Sequence, residues 1–587
     1  MPSLGMREAC GRAALVAALV TVVTAAVAYA AGGFDPAAEA SNYSKLNERF
    51  RYVVSAPGYQ AQLRDWSGRA TLELADIRAT DPERNPDSVC ASYADQCAGD
   101  VRVNDWGRNG YGIVRDVLYT NRNGATIPGR IWATRAGPPK RPAVVIGPGG
   151  LAPQTLYWFG AVSLAKAGYV VLTFDVQGQG RADSRGEPPD DASVAPFDGT
   201  AVSQTDGIED GLDFLLSTPN APYVPRPSCL SGTSHNAKQV RRVKAGFDTA
   251  YDPMWNLIDR NRIGIVGHSL GAYGVSFVGQ KDPRVRATVA WDNLDAPKEA
   301  NEEPRGTPHP CKAFPQTRVP PPITKPALGL SADYHQPPEP NTSLPDPRAK
   351  SQGFDAYRKA GVDSGEIVIR GGSHYEFSFL PAQNWPAGLR GSDMAAWYTV
   401  AWFDKYLKRD PMADRRLLTD RWRHDTREAQ VDPHGDGNKF SFYYRSGLDV
   451  RLAGGGRAVC LDLRAGCSAL PSSDGADPFW SYVTYANTPD VPSSPPPKKR
   501  STFTVPRKVS LSRSKHRLIV GLHLTRSMVV RVMVRRSGEV VAHARRRLPA
   551  GRHRLGVALP RDLRTGRYRV EIGLGASVSS RTVRVTR

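Results

Sequence analysis

Cysteine is scarce, with seven residues in 587, and histidine is little commoner at eleven. None of the cysteines has the close spacing of a zinc site, and no histidines cluster, so the sequence suggests no metal and calls for no cofactor. Long apolar runs are equally rare. An uncharged run spans 13–34, and the chain as a whole is 40% hydrophobic with mean hydropathy −0.42, which excludes a membrane bundle. No segment repeats at the length of a propeller blade. Acidic residues are nearly missing from the last ninety positions, where 24 Lys and Arg face only Glu539, Asp562 and Glu571. That tail has net charge +21, so the rest of the chain, with 54 basic and 54 acidic residues, is neutral.

The N-terminus has the layout of a secretory leader: Arg7 and Arg12, the apolar run, then Ala28-Tyr29-Ala30 as a cleavage site. An uncleaved run of this length would instead anchor the protein in a membrane. Removing residues 1–30 takes Cys10 and leaves six cysteines, an even set suited to an oxidising compartment. Spacing suggests Cys90–Cys97 and Cys460–Cys467 as small loops, leaving Cys229–Cys311 to brace the segments on either side of the motif described next.

Residues 262–274, RIGIVGHSLGAYG, carry the chemistry. A β-branched run leads into Gly267-His268-Ser269-Leu270-Gly271, then small helix-compatible residues. This is a nucleophile elbow: strand, sharp turn, helix start, with the serine hydroxyl exposed at the turn. A serine needs a base, an orienting acid and donors for an oxyanion. Residues 366–377, EIVIRGGSHYEF, bring His374 to a strand's carboxyl end, where ligand chemistry gathers in parallel sheets. For the acid, Asp333 closes the strand PALGLSAD and lies between serine and histidine in sequence; Asp292, closing ATVAWD, is its rival. Asp175 precedes the serine and reads as structural. The backbone N–H of Leu270 is one oxyanion donor, and the turn after AVVIG supplies the other, Gly150 first and Leu151 next. Tyr157, Trp158 and Trp291 are candidates to line an apolar acyl pocket.

Taken together, PGG followed by Tyr157-Trp158, DRNRIGIVGHSLGA, IRGGSHYEF and the helix WYTVAWFDKYL make residues of about 110–410 resemble the α/β-hydrolase superfamily. The likeness is to secreted bacterial esterases of the dienelactone-hydrolase and cutinase-like polyester-hydrolase type. It implies a triad, an acyl-enzyme and an ester substrate. In those esterases a P-G-aromatic turn gives the first oxyanion N–H, and Gly150 stands at that place here. Dienelactone hydrolases proper use cysteine, which Ser269 argues against.

Strand and helix patterns alternate between 110 and 412, predicting a mostly parallel, doubly wound sheet, which the resemblance implies is the α/β-hydrolase fold. An N-terminal extension (31–109) precedes it, and a β appendage (413–490) and a proline-rich linker (491–505) follow. Residues 506–587 alternate apolar and polar with turns every 8–12 residues, predicting a small all-β sandwich that resembles the immunoglobulin-like domains appended to secreted bacterial enzymes. Its arginines suggest contact with an anionic cell surface or polymer, and no nucleic-acid motif is present. The resulting expectation is a secreted serine hydrolase of carboxylic esters. Alternatives are a lipase or phospholipase, an exported peptidase of prolyl-oligopeptidase type, and a surface-binding protein on an inactive scaffold.

Overall fold

In the computed structural model the described residues fall, with short interruptions, at 34–47, 57–86, 110–192, 202–297, 319–380, 389–423, 437–467 and 502–586, with isolated positions between them. They form two compact units, Met1–Gly68 with Asp87–Asn487, and Arg69–Pro86 with Thr488–Arg587.

The first unit is built on ten strands: β1 Gly112–Thr120, β2 Thr126–Thr134, β3 Arg141–Gly147, β4 Val170–Phe174, β5 Ile258–His268, β6 Val285–Trp291, β7 Ala327–Ala332, β8 Ser364–Ile369, β9 Gly447–Arg451 and β10 Arg457–Cys460. Their order in the sheet is β1-β2-β4-β3-β5-β6-β7-β8-β9-β10. The six strands from β4 to β8 pair in parallel, and antiparallel pairs flank them on both sides. Interior parallel strands are covered on both faces and so read as unbroken apolar runs. Accordingly β3, β4, β7 and β8 are buried at every position. The segment expected as an appendage is not separate: β9 and β10 extend the same sheet.

The principal helices are α1 Pro57–Thr80, α2 Trp158–Lys166, α3 Val202–Leu215, α4 Asn236–Lys244, α5 Leu270–Lys281, α6 Gln352–Lys359 and α7 Leu389–Phe403. Helices α2 and α7 bury Phe159, Trp397 and Trp402 in one core layer with Trp291. Helices α3 and α5 bury Ile208, Leu212, Val275 and Val278 in the other. This is an α/β architecture with the sheet sandwiched between helices. Disulfides join Cys229 to Cys311 and Cys460 to Cys467. Cys97 is disulfide-bonded as well, and its expected partner Cys90 lies outside the described residues, as does the leader. Among the described residues no helix is long and apolar enough to cross a membrane.

The second unit has a three-stranded sheet, β11-β13-β16, and a five-stranded one, β12-β18-β17-β14-β15. The strands are β11 Thr502–Thr504, β12 Lys508–Ser510, β13 Arg517–Leu524, β14 Met528–Arg536, β15 Glu539–Leu548, β16 Gly551–Ala558, β17 Gly566–Leu574 and β18 Ser577–Thr586. Alternate residues (Leu518, Val520 and Leu522 from one sheet, Val530, Val532, Val570 and Ile572 from the other) form its core. The C-terminal half of α1 belongs to this unit, where Asp76 pairs with Arg531 at 2.8 Å. Residues 31–109, expected from sequence as one N-terminal extension, are thus divided between the two units.

Candidate functional site

The site is built at the carboxyl ends of β3, β5, β6 and β8. Strand β5 stops at His268, and Ser269 adopts φ 56°, ψ −121° before α5 begins. A side chain at positive φ is strained and is held there only by dense surroundings. The flanking glycines supply that density. A Cβ on Gly267 would lie 2.1 Å from the Gly271 carbonyl oxygen, and one on Gly271 would lie 2.5 Å from those of Gly147 and Pro148. The G-x-S-x-G spacing is therefore a steric requirement of this turn. Leu270 opens α5, so its N–H has no intrahelical acceptor.

The turn after β3 comes up against the serine: a Cβ on Gly149 would lie 3.0 Å from Ser269 Cβ. The Gly149 N–H is already committed, donating to the Tyr157 hydroxyl at 2.9 Å. The next N–H of this turn belongs to Gly150, and Leu151 follows at φ 59° with its side chain exposed.

His374 opens a short 3₁₀ turn after β8. Ser373 caps that turn by accepting from the Tyr375 N–H at 3.2 Å, and Glu376 accepts from the Ser373 N–H at 3.3 Å. His374 Nδ1 bonds Asp292 Oδ2 at 2.6 Å. Asp292 follows β6 directly, at φ 49°, and the Ser269 N–H donates to the Trp291 carbonyl at 2.9 Å. Serine, acid and imidazole thus share one edge of the sheet. Burial would raise the Asp292 carboxyl, but Lys350, at 3.7 Å from Oδ1, and the His374 hydrogen bond outweigh it and hold the group well below the usual carboxylate range.

The acid assignment is therefore corrected from Asp333 to Asp292. Asp333 is engaged elsewhere: it accepts from Arg370 Nη1 at 2.7 Å and from the Gly371 N–H at 2.8 Å, and also from Ser441 Oγ. Arg370, the residue after β8, is buried, and a buried guanidinium requires a buried carboxylate. Glu39, in the N-terminal extension, is its second partner at 3.2 Å.

His268, which the sequence reading passed over, links the parts. Its Nε2 meets the His374 backbone oxygen at 2.9 Å and its Nδ1 meets Tyr157 Oη at 2.9 Å. A carbonyl only accepts, so Nε2 carries the proton, and Tyr157 donates to Nδ1 while accepting from Gly149. Burial, and then the nearby His374, hold this imidazole well below its ordinary range, so it stays neutral. One chain of hydrogen bonds runs from the glycine turn to the backbone of His374.

The aromatic pocket is also corrected. Trp291 is fully buried, stacks on Phe159 at 5.9 Å and donates to Thr399 at 2.9 Å. Trp158 packs on Trp132 with Arg130 4.4 Å above its ring, and Tyr157 serves the chain just described. All three are core residues. Asp175 accepts from the N–H groups of Gln154 at 2.7 Å and Arg181 at 2.9 Å, which pins the turn after β4. Among the described residues, no group of three or more His, Cys, Asp or Glu side chains could hold a metal ion.

No protein-family model matches the chain, and no curated protein matches it.

Proposed function

We propose that this protein is a serine hydrolase of carboxylic esters on an α/β-hydrolase scaffold, secreted in its mature form. The observation that carries the reading is the 2.6 Å bond between His374 and Asp292, on the same sheet edge as a strained Ser269. The chain order serine, acid, histidine is that of α/β-hydrolase triads. His374 takes the proton of Ser269 as the hydroxyl attacks the carbonyl, and Asp292 orients the ring and stabilises the imidazolium. The N–H groups of Leu270 and Gly150 hold the oxyanion, each donor worth about 3–4 kcal/mol. His374 returns the proton to the leaving alcohol, and water releases the acid. A fluorophosphonate probe tests this: wild type is labelled at Ser269 and Ser269→Ala is not. An unlabelled wild type leaves the inactive-scaffold reading. Esters of rising chain length, triglycerides and peptides then separate esterase from lipase and peptidase.

The C-terminal unit is read as an adhesive module for an anionic surface or polymer. Arg567, Arg569, Arg581 and Arg584 are all exposed on the β17–β18 pair, and Arg567 lies directly opposite Arg584. Guanidinium groups pair bidentately with phosphate and carboxylate. Retention on an anionic matrix that falls with salt, and is lost on deleting 501–587, supports this role; equal retention without those residues removes it.

A further inference from the structure

We propose that Lys350 is a positioning residue for the site, its ammonium facing the Asp292 oxygen that His374 leaves free and so tempering the pull of that carboxylate on the imidazole. The inference rests on the triad reading above for its effect on turnover.

Asp292 divides its carboxylate between two cations-in-waiting. One oxygen takes the imidazole at 2.6 Å and the other faces the Lys350 ammonium at 3.7 Å. Lys350 lies just before α6, its side chain only 8% exposed, with the ring of Tyr444 5.7 Å away. A buried ammonium needs a partner, and Asp292 is its ion-pair partner here. A second carboxyl stands close by. Glu366, on β8, is buried, accepts from Ser331 Oγ through Oε1, and leaves its other oxygen without a hydrogen bond. Burial, with the nearby Asp292 adding to it, pushes the Glu366 carboxyl well above its usual range, so it is the neutral member. The groups acting on Asp292 are then His374, Lys350, the neutral ring of His268 and the protonated Glu366, with the Tyr444 hydroxyl also within electrostatic reach. The resting pair Asp292–Lys350 sums to zero, and the imidazolium formed in turnover meets a carboxylate whose field is half compensated. Lys350 thus opposes the build-up of positive charge on the base.

Lys350→Met removes the charge and keeps the stem. The acidic limb of the kcat/KM–pH profile then moves upward by about one pH unit, the order expected for one charge at an effective dielectric of about 20. Lys350→Arg leaves the limb near its wild-type position. The same titration is read without turnover from the downfield Nδ1 proton of His374, whose midpoint moves up equally. If limb and proton midpoint both stay put in Lys350→Met, Lys350 only packs and the proposal is wrong. Glu366→Gln provides a second route: the limb is unmoved if Glu366 is already neutral, and a downward shift of about one unit overturns the proposal. A wild type that takes no fluorophosphonate, with the proton midpoint still moving up in Lys350→Met, ends the hydrolase reading and leaves this inference standing.

Discussion

The two units handle charge in opposite ways. In the α/β unit cations are buried and matched across long stretches of sequence. Arg122 meets Asp206 at 2.9 Å, Glu209 at 2.9 Å and Asp210 at 2.8 Å, Arg242 meets Asp248 at 2.9 Å, and Arg370 meets Asp333 and Glu39. In the sandwich most arginines stand on the outer faces of strands, and the core between them is purely aliphatic apart from Tyr568. Charge in the first unit specifies which segments meet; in the second it is displayed. Single substitutions therefore carry different meanings in the two places.

Within the α/β unit the sharpest contrast is between two aspartates at neighbouring strand ends. Asp292→Asn keeps the shape but loses the charge on the imidazole, so kcat falls by about 10⁴-fold, with the unfolding midpoint little changed. Asp333→Ala leaves Arg370 with half its partners, at about 3–5 kcal/mol of stability, with residual turnover per folded molecule near wild type. Measuring turnover and denaturant midpoints for both variants checks the split. If Asp333→Ala abolishes turnover in folded protein while Asp292→Asn spares it, the correction made here is reversed.

A third aspartate breaks the rule that buried charge is matched. Asp252 accepts the Met254 N–H at 2.7 Å through one oxygen, while its other oxygen has no partner. Burial pushes its carboxyl up to about 7, with the Met254 hydrogen bond opposing only in part. The folded state then holds this proton more tightly than the unfolded chain does, where the group titrates near 4. Its stability is full below about pH 4, declines as pH rises to about 7, and is flat beyond. Asp252→Asn removes that slope and gains about 4 kcal/mol at pH 8, with little change at pH 4. Urea midpoints across this range test it, and parallel curves for the two proteins would refute it.

Much of this was legible beforehand, and the parts that were not share a cause. Parallel strands announce themselves as apolar runs, and the serine turn is marked by the spacing of five consecutive residues, so both could be read locally, although Gly271 also answers to the carbonyls of Gly147 and Pro148. His374 followed from a strand ending in Gly-Gly. The acid was misread because Asp292 and Asp333 each close a strand, and only the three-dimensional position of Arg370 tells them apart. Glu39 and Lys350 act on partners 331 and 58 positions away in sequence, and no periodicity records that. The indole rings were offered to the substrate although large aromatics in an α/β sheet mostly fill the space between strand and helix.

The smallest effect expected tests the display of charge in the sandwich. Across β17 and β18, Arg567 and Arg584 are directly opposed, and like charges so placed destabilise a pair by a few tenths of a kcal/mol. Arg567→Glu turns repulsion into attraction. In the full chain at low salt it slows hydrogen exchange of the Tyr568 and Val583 amides by about twofold, corresponding to roughly 0.5 kcal/mol. Raising the salt to about 1 M, where the screening length is near 3 Å, erases the gain. The same variant weakens retention on an anionic matrix. A domain selected for stability alone has no reason to keep the arginine, so more stable and less adhesive is the paired outcome expected. A variant that is more stable and equally adhesive would instead make these arginines an ordinary solvated face.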